Sequence, residues 1–324
     1  MKVLVTGGTG FVGSHVIGFL NGCADIQIYA LIRNTAKLEI LEGNAFKTLQ
    51  GDLFSVPSLP HDLDCVIHVA GLTKARKLAD YYTVNQQGTA SLFQALKTQG
   101  ITPKQFILLS SMAASGPSKK GQAAHEKLPP RPVSHYGRSK LLGEMEALKH
   151  KDRFPVIIVR VGAVYGPRDP DFLDYFKWIK KGILPRFGRR ERHFTFCHAS
   201  DLAKGLVQIT QKNLNSGEIF NIADPEPHTW DELGTIAANH LGIRAFRISI
   251  PLPIVYAAAV LSEMSSAITG KPSIVNREKF RELNQEGWVA DINKARTVLQ
   301  FSPDFPLKKG VRETIDWYRN NDLL

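Results

Sequence analysis

The stretch "KVLVTGGTGFVGSH" (residues 2–15) narrows the possible folds of this chain more than any other. An apolar, β-branched run stops at a glycine cluster, and a helical pattern follows from about Phe11 to Leu20. Gly7, Gly10 and Gly13 stand three residues apart, and Gly8, Gly10 and Gly13 also satisfy GxGxxG. Glycine at such positions lets the backbone turn tightly, approach a pyrophosphate, and pack helix on strand with no Cβ between them. The amides at the helix N-terminus then face the phosphates. In a strand–turn–helix context the motif predicts a dinucleotide-binding unit.

The first half continues in the same style. "IQIYALI" (26–32), "FKTLQG" (46–51), "DCVIHVA" (64–70), "KQFILLSS" (104–111) and "PVIIVRVG" (155–162) read as strands separated by helical patterns. That alternation predicts an α/β fold, a Rossmann-type doubly wound parallel sheet with helices on both faces. "YYTVNQQGTASLFQALKTQG" (81–100) reads as one helix ending at Gly100. "SHYGRSKLLGEMEALKH" (134–150) reads as another, with Ser134 as N-cap and Leu141, Met145 and Leu148 as its apolar stripe. After Gly166 the pattern becomes mixed, then helical. We expect a dinucleotide-binding domain over 1–166 and a smaller, mostly helical substrate lobe over 167–324, with 196–224 returning to the sheet.

Charge and cysteine content exclude several classes. The net charge of +11 is spread along the chain, with one cluster in "PRFGRRERH" (185–193) and no nucleic-acid signature beside it. An anionic cofactor or substrate accounts for part of it, and nucleic acid is not an expected partner. Three distant cysteines, without CxxC or Cys/His spacing, predict neither a disulfide framework nor a metal site. His193 and His198 flank "FTFC" but no third ligand is evident. A strand starting at Lys2 leaves no room for a signal peptide, and "ISIPLPIVYAAAVLS" (248–262) is short for a membrane span, so a cytoplasmic location is expected.

The second strand ends in "YALIRNTAK" with no carboxylate to bond a free ribose 2′-hydroxyl. Arg33 there suits a 2′-phosphate, because a guanidinium offers a planar fork of donors and a permanent charge. NADP is therefore favoured over NAD, the alternative being that Arg33 is a solvated strand end. Tyr136 and Lys140 in "VSHYGRSK" lie one turn apart on one helix face.

Taken together, TGGTGFVG, Asp52 in "GDL", "HVAG" (68–71), "VNQQGT" (84–89), "LLSSMAASG" (108–116), Tyr136 with Lys140, and "RVGAVYGPRD" (160–169) closely resemble the extended short-chain dehydrogenase/reductases. The match runs through nearly the whole chain. That family includes nucleotide-sugar epimerases and dehydratases, dihydroflavonol-type reductases and 3β-hydroxysteroid dehydrogenases. The resemblance implies that Gly7, Gly10 and Gly13 hold the pyrophosphate and that Asp52 meets the adenine. It adds Phe11, Val12, Leu53, Ala70, Tyr136 and Lys140 to the cofactor-binding set. Ser111, Tyr136 and Lys140 would form the catalytic group, and Asn85 is read as structural or chemical with equal weight. Homodimers are common among relatives, so a homodimer is possible here.

Hydride transfer at a carbon bearing oxygen needs a proton to move on that oxygen. A tyrosine hydroxyl, with an ordinary pKa of about 10, is a poor base near neutrality. A neighbouring cation favours the phenolate, so Lys140 is expected to lower the pKa of Tyr136. Relatives also use this Lys to hold the nicotinamide ribose. Ser111, at the carboxyl end of its strand, would bond the developing oxyanion.

The family's substrates divide on other positions. Ala163 stands where sugar-nucleotide epimerases often carry Asn, Arg192 lies two residues early for their diphosphate grip, and Met112 and Ala113 replace the dehydratases' acidic pair. "SSMAASGP" looks like the steroid dehydrogenase and dihydroflavonol reductase branch. The first expectation is an NADP-preferring reductase or dehydrogenase of a secondary alcohol or ketone, with steroid- or lipid-like molecules among the candidates. The second is a nucleotide-sugar epimerase that retains NAD, and the third a dinucleotide-sensing protein without catalysis, which the Tyr and Lys disfavour. The apolar 248–268 segment, with Leu252, Ile254, Val255, Val260 and Leu261, covers a pocket, touches a membrane surface or forms a core helix. Phe172, Tyr175, Phe176 and Trp178 pack a helix or line a pocket, and His68 packs against the cofactor rather than acting in catalysis.

Overall fold

Seven parallel strands form the central sheet, and their order follows from where the buried apolar runs fall. The computed structural model describes residues 1–269 and 276–324, with side chains described up to Met264 and again from Asn276. In chain order the first half gives β1 (Lys2–Thr6), α1 (Phe11–Asn21), β2 (Gln27–Ile32), β3 (Lys47–Gln50), β4 (Cys65–His68), α2 (Leu78–Tyr82), α3 (Gly88–Thr98) and β5 (Gln105–Ser111). Then come α4 (Met112–Ser115), α5 (His135–Leu148), β6 (Val156–Val161), β7 (Ala163–Tyr165), α6 (Pro170–Lys180), β8 (Ile183–Phe187), β9 (His193–Phe194), β10 (Phe196–His198) and α7 (Ala199–Thr210). The chain ends with β11 (Glu218–Ile222), α8 (Trp230–Leu241), β12 (Phe246–Ile250), α9 (Leu252–Thr269), α10 (Arg277–Leu283), β13 (Gly287–Trp288) and α11 (Leu307–Asn320).

The sheet order is β11-β6-β5-β4-β1-β2-β3. All its pairings are parallel, so helices cover both faces and the central strands read as unbroken apolar runs. All six residues of β6 are buried. One core lies under α1 and α7, a second under α3 and α5, and a third gathers α6, α8 and α11. Every strand expected in the first half is found within a residue or two of its expected ends.

Two helices differ from the sequence reading. The 81–100 helix is interrupted by a π-helical turn at Thr83–Gln87, which turns Asn85 inward. In α5 the expected apolar stripe holds only in part: Leu141 and Leu148 are half-buried, Leu148 against the second core. Met145 is 51% exposed, and the buried face is Gly137, Ser139, Lys140, Gly143, Glu144 and Ala147. The cause is close approach: a Cβ on Gly137 would fall 2.2 Å from the Ala113 carbonyl oxygen, and one on Gly143 would fall 2.4 Å from that of Asn85. Small residues, not large apolar ones, make this contact.

In α6, Phe172 and Phe176 are core residues while Trp178 is exposed. In α9, Val255 is buried, Leu252 and Val260 are half-buried, and Ile254 and Leu261 are exposed; the part of the 248–268 segment beyond Met264 lies outside the described side chains. No described helix is long and apolar enough to cross a membrane.

Candidate active site

The strand order reverses between β1 and β4, and the crevice at that switch point is where doubly wound sheets bind ligands. The glycine turn opens there. Gly7 has φ +73°, and a Cβ on it would meet the Ala70 amide nitrogen at 2.7 Å; one on Gly13 would lie 2.0 Å from the Gly7 carbonyl oxygen. Gly10 precedes α1 in an extended conformation, with no side-chain cap and no acidic residue in the first turn. The free N–H groups of a helix start, with Phe11 and Val12 in it, therefore face a cradle that side chains would fill. These features fit a dinucleotide pyrophosphate.

Around the turn, Ala70 donates its N–H to Thr6 Oγ1 at 3.2 Å. Asp52 Oδ1 accepts from the amides of Phe54 and Ser55, both at 2.8 Å, so its carboxylate shapes the loop after β3. Leu53 is buried against Gly88. Arg33 lies exposed directly after β2.

His68 is a strut under the crevice. Thr89 Oγ1 donates to the Asn85 carbonyl at 2.9 Å, so it can only accept from His68 Nε2, at 3.1 Å. Nδ1 then accepts from Thr6 Oγ1 at 2.7 Å, which fixes a neutral tautomer. Burial holds the His68 pKa down to about 3 from an ordinary 6.5. As pH falls through 6.5 the unfolded chain takes up this proton and the folded protein does not, so stability present above that pH is lost progressively down to about pH 3. Relative to the parent, His68→Asn should flatten the acid limb of stability against pH by about 1.4 kcal/mol per pH unit in that window. Denaturant midpoints measured from pH 3.5 to 7 check this; an unchanged slope would mean that His68 does not carry the linkage.

Ser111, Tyr136 and Lys140 come together at the carboxyl end of β5. Ser111 caps the short α4, its Oγ accepting from the Ala113 amide at 3.1 Å, and its side chain lies near enough to the Tyr136 hydroxyl to favour the phenolate. Lys140 is buried and its Nζ donates to the Leu109 carbonyl at 2.6 Å. Burial lowers the Lys140 pKa to about 8. Asn85 holds the neighbouring loop: Oδ1 accepts from Leu72 N at 2.7 Å, and Nδ2 donates to Leu72 O at 3.0 Å and Ser139 Oγ at 2.8 Å. Those bonds use its polar atoms structurally.

The expected electrostatics need a correction. Burial raises the Tyr136 pKa, and what opposes it is the nearby Ser111 side chain followed by the charge of Lys279, not that of Lys140. Lys279, on α10, places Nζ 5.9 Å from the Tyr136 ring centroid. No residue pattern marks this contact, because α10 is distant in the chain and reads only as a polar helix.

A second group was legible but unread. Arg160 in the apolar run "VIIVRV" required a buried partner, and Glu144, one turn after Lys140, supplies it. The guanidinium bonds both carboxylate oxygens, Nε at 3.0 Å and Nη2 at 2.6 Å, and Ser110 Oγ donates to the same carboxylate at 2.5 Å. This network pins α5 to β5 and β6, and so fixes the helix that carries Tyr136.

The histidines and Arg192 have local roles. His193 is half exposed beside Glu191, and His198 is buried 2.9 Å from Glu313 and stacked on Phe305. Among the described residues no group of three His, Cys, Asp or Glu could hold a metal. The Arg192 guanidinium donates to the carbonyls of Gln285, Phe187 and Arg190 at 3.0–3.2 Å.

A dinucleotide cradle at the switch point and a Ser-Tyr-Lys group above it define a nicotinamide-dependent enzyme class. The chain belongs to the NAD-dependent epimerase/dehydratase family, whose model matches residues 3–223. A ceramide reductase of Caulobacter vibrioides is 30% identical over 321 residues, covering 98% of this chain and 94% of that protein. A decarboxylating sterol-4-alpha-carboxylate 3-dehydrogenase of Saccharomyces cerevisiae is 24% identical, covering 98% and 97%. Among solved structures, a UDP-glucuronic acid 4-epimerase from Bacillus cereus in complex with UDP-glucuronic acid and NAD superposes with a TM-score of 0.80 at 27% identity, covering 99% of this chain and 100% of that one.

Proposed function

We propose that the protein is an NADP-preferring dehydrogenase or reductase of a secondary alcohol or ketone of steroid- or lipid-like character. The gathering of Ser111, Tyr136 and Lys140 at the carboxyl end of β5, together with the glycine cradle, carries this reading. The bound dinucleotide supplies or accepts the hydride. Tyr136 moves the proton at the substrate oxygen, and Ser111 donates a hydrogen bond to that oxygen. Lys140 has ammonium donors beyond the one bonded to Leu109, and these suit a ribose hydroxyl.

For the substrate, the three carbonyl bonds of Arg192 leave that guanidinium no free fork for a diphosphate. The relatives named for a ceramide and a sterol carboxylate point toward lipid-like molecules. A second reading, a nucleotide-sugar epimerase retaining NAD, draws on the charged groups Arg186, Arg190 and Asp231 in a recess otherwise lined by Phe187, Phe194 and Trp230, and on the UDP-sugar complex of the structural neighbour. A panel of hydrophobic ketones and UDP- or dTDP-sugars, read by cofactor absorbance, separates the two. Net consumption of NADPH with ketones supports the first. Sugar epimerisation without net redox change, with NAD retained on purification, replaces it with the second.

The NADP preference rests on Arg33 standing exposed after β2 with no carboxylate at that strand end. Arg33→Asp should raise the ratio of NAD to NADP affinity by roughly tenfold or more, the worth of a charge-assisted bond. Titration of both cofactors checks it, and an unaltered ratio would remove Arg33 from the site.

A further inference from the structure

The only cation over the Tyr136 ring among the described contacts comes from the far end of the chain. Asn276 caps α10 by accepting from the Lys279 amide at 2.8 Å, and α10 then lies across the start of the catalytic helix α5. Glu282 accepts from Ser134 Oγ at 2.7 Å, and Glu278 accepts from the His135 amide. These bonds fix α10 against the two residues that precede Tyr136. Lys279 is thereby held over the phenol ring, with Glu282 3.2 Å from its Nζ.

We propose that Lys279 is a positioning residue for Tyr136: a cation delivered by the C-terminal lobe that biases the phenol toward its ionised form. The inference rests on the reading of Tyr136 as the acid/base group. Every element packed on Tyr136 contributes a group to weigh. Ser111 of β5 faces its hydroxyl, Tyr81 of α2 lies 6.0 Å away ring to ring, and Lys140 shares its helix. From α10, Lys279 favours the phenolate while Glu282 opposes it. Glu278 is engaged with Arg281 and the start of α5, and acts on Tyr81. His135 is taken up by the Tyr82 hydroxyl at 2.7 Å. The Lys279 side chain remains 40% exposed, so solvent screens its charge and the expected effect is moderate.

The test reads Tyr136 directly and needs no substrate. In protein labelled with 13Cζ-tyrosine, the resonance lost in Tyr136→Phe identifies Tyr136, and its titration is followed from pH 7 to 11. Lys279→Gln should move that titration upward by about half a pH unit or more, and Lys279→Arg should restore it. Glu282→Gln should move it downward, the opposite sign, while keeping an acceptor for Ser134. No movement in Lys279→Gln overturns the proposal. Equal upward movement in the Gln and Arg variants also overturns it, because packing rather than charge would then be responsible. Turnover of Tyr136→Phe is a separate measurement, so failure of the acid/base reading and failure of the Lys279 inference are told apart.

Discussion

Tyr136→Phe is expected to lower turnover by ~10² or more, the usual contribution of a positioned acid/base group, while dinucleotide affinity stays within a few-fold. The substitution removes one oxygen and leaves the ring, so the packing against Tyr81 at 6.0 Å is kept. Ser111 still accepts from the Ala113 amide, which keeps α4 capped. The glycine cradle contributes its contacts from β1 and α1, remote in sequence from α5, so cofactor binding has no reason to fall. Cofactor absorbance under saturating ketone gives turnover, and quenching of tryptophan fluorescence gives affinity. Turnover within a few-fold of the parent would show that some other group moves the proton.

The second large effect is on stability. Glu144→Ala should cost about 3–5 kcal/mol, because it strands a buried guanidinium without its partner. Both side chains of the pair are only 2% exposed. Arg160 Nη1 already lacks a protein partner, so no spare bond compensates the loss, and Ser110 loses its acceptor as well. Replacing both members, Glu144→Leu with Arg160→Met, should be far milder and can be neutral, since the desolvation cost of both charges disappears. Urea unfolding of the two variants and the parent measures the difference. A single-variant loss below about 1 kcal/mol would mean that the pair is not closed in solution.

What the sequence made legible was what depends on local period. "KVLVT" and "VIIVRV" announce buried parallel strands because nothing else accommodates runs of β-branched residues without alternation. Ser134 announced its cap through residue type and position, and the structure places its Oγ 3.0 Å from the Gly137 amide. The buried face of α5 was misread because hydrophobicity favours Leu141 and Met145, whereas steric closeness selected Gly137 and Gly143. The π-helical turn that aims Asn85 uses residues that suit an ordinary helix equally well. Lys279 could not be inferred at all, because its meeting with Tyr136 depends on how the chain around α10 packs back onto α5.

The outer position of β11 has a consequence for biosynthesis. β6 is complete at Val161, but the strand that hydrogen-bonds its outer edge begins only at Glu218. At ordinary translation speeds the nascent chain carries that apolar edge unpaired for some seconds, a template for pairing with other chains. Of the intervening strands only β7 and β10 find their partner in each other before β11 is made, whereas β8 and β9 wait for β12 and β13. Stalled or truncated translation products ending in this interval should therefore depend most on chaperones, and the finished protein least.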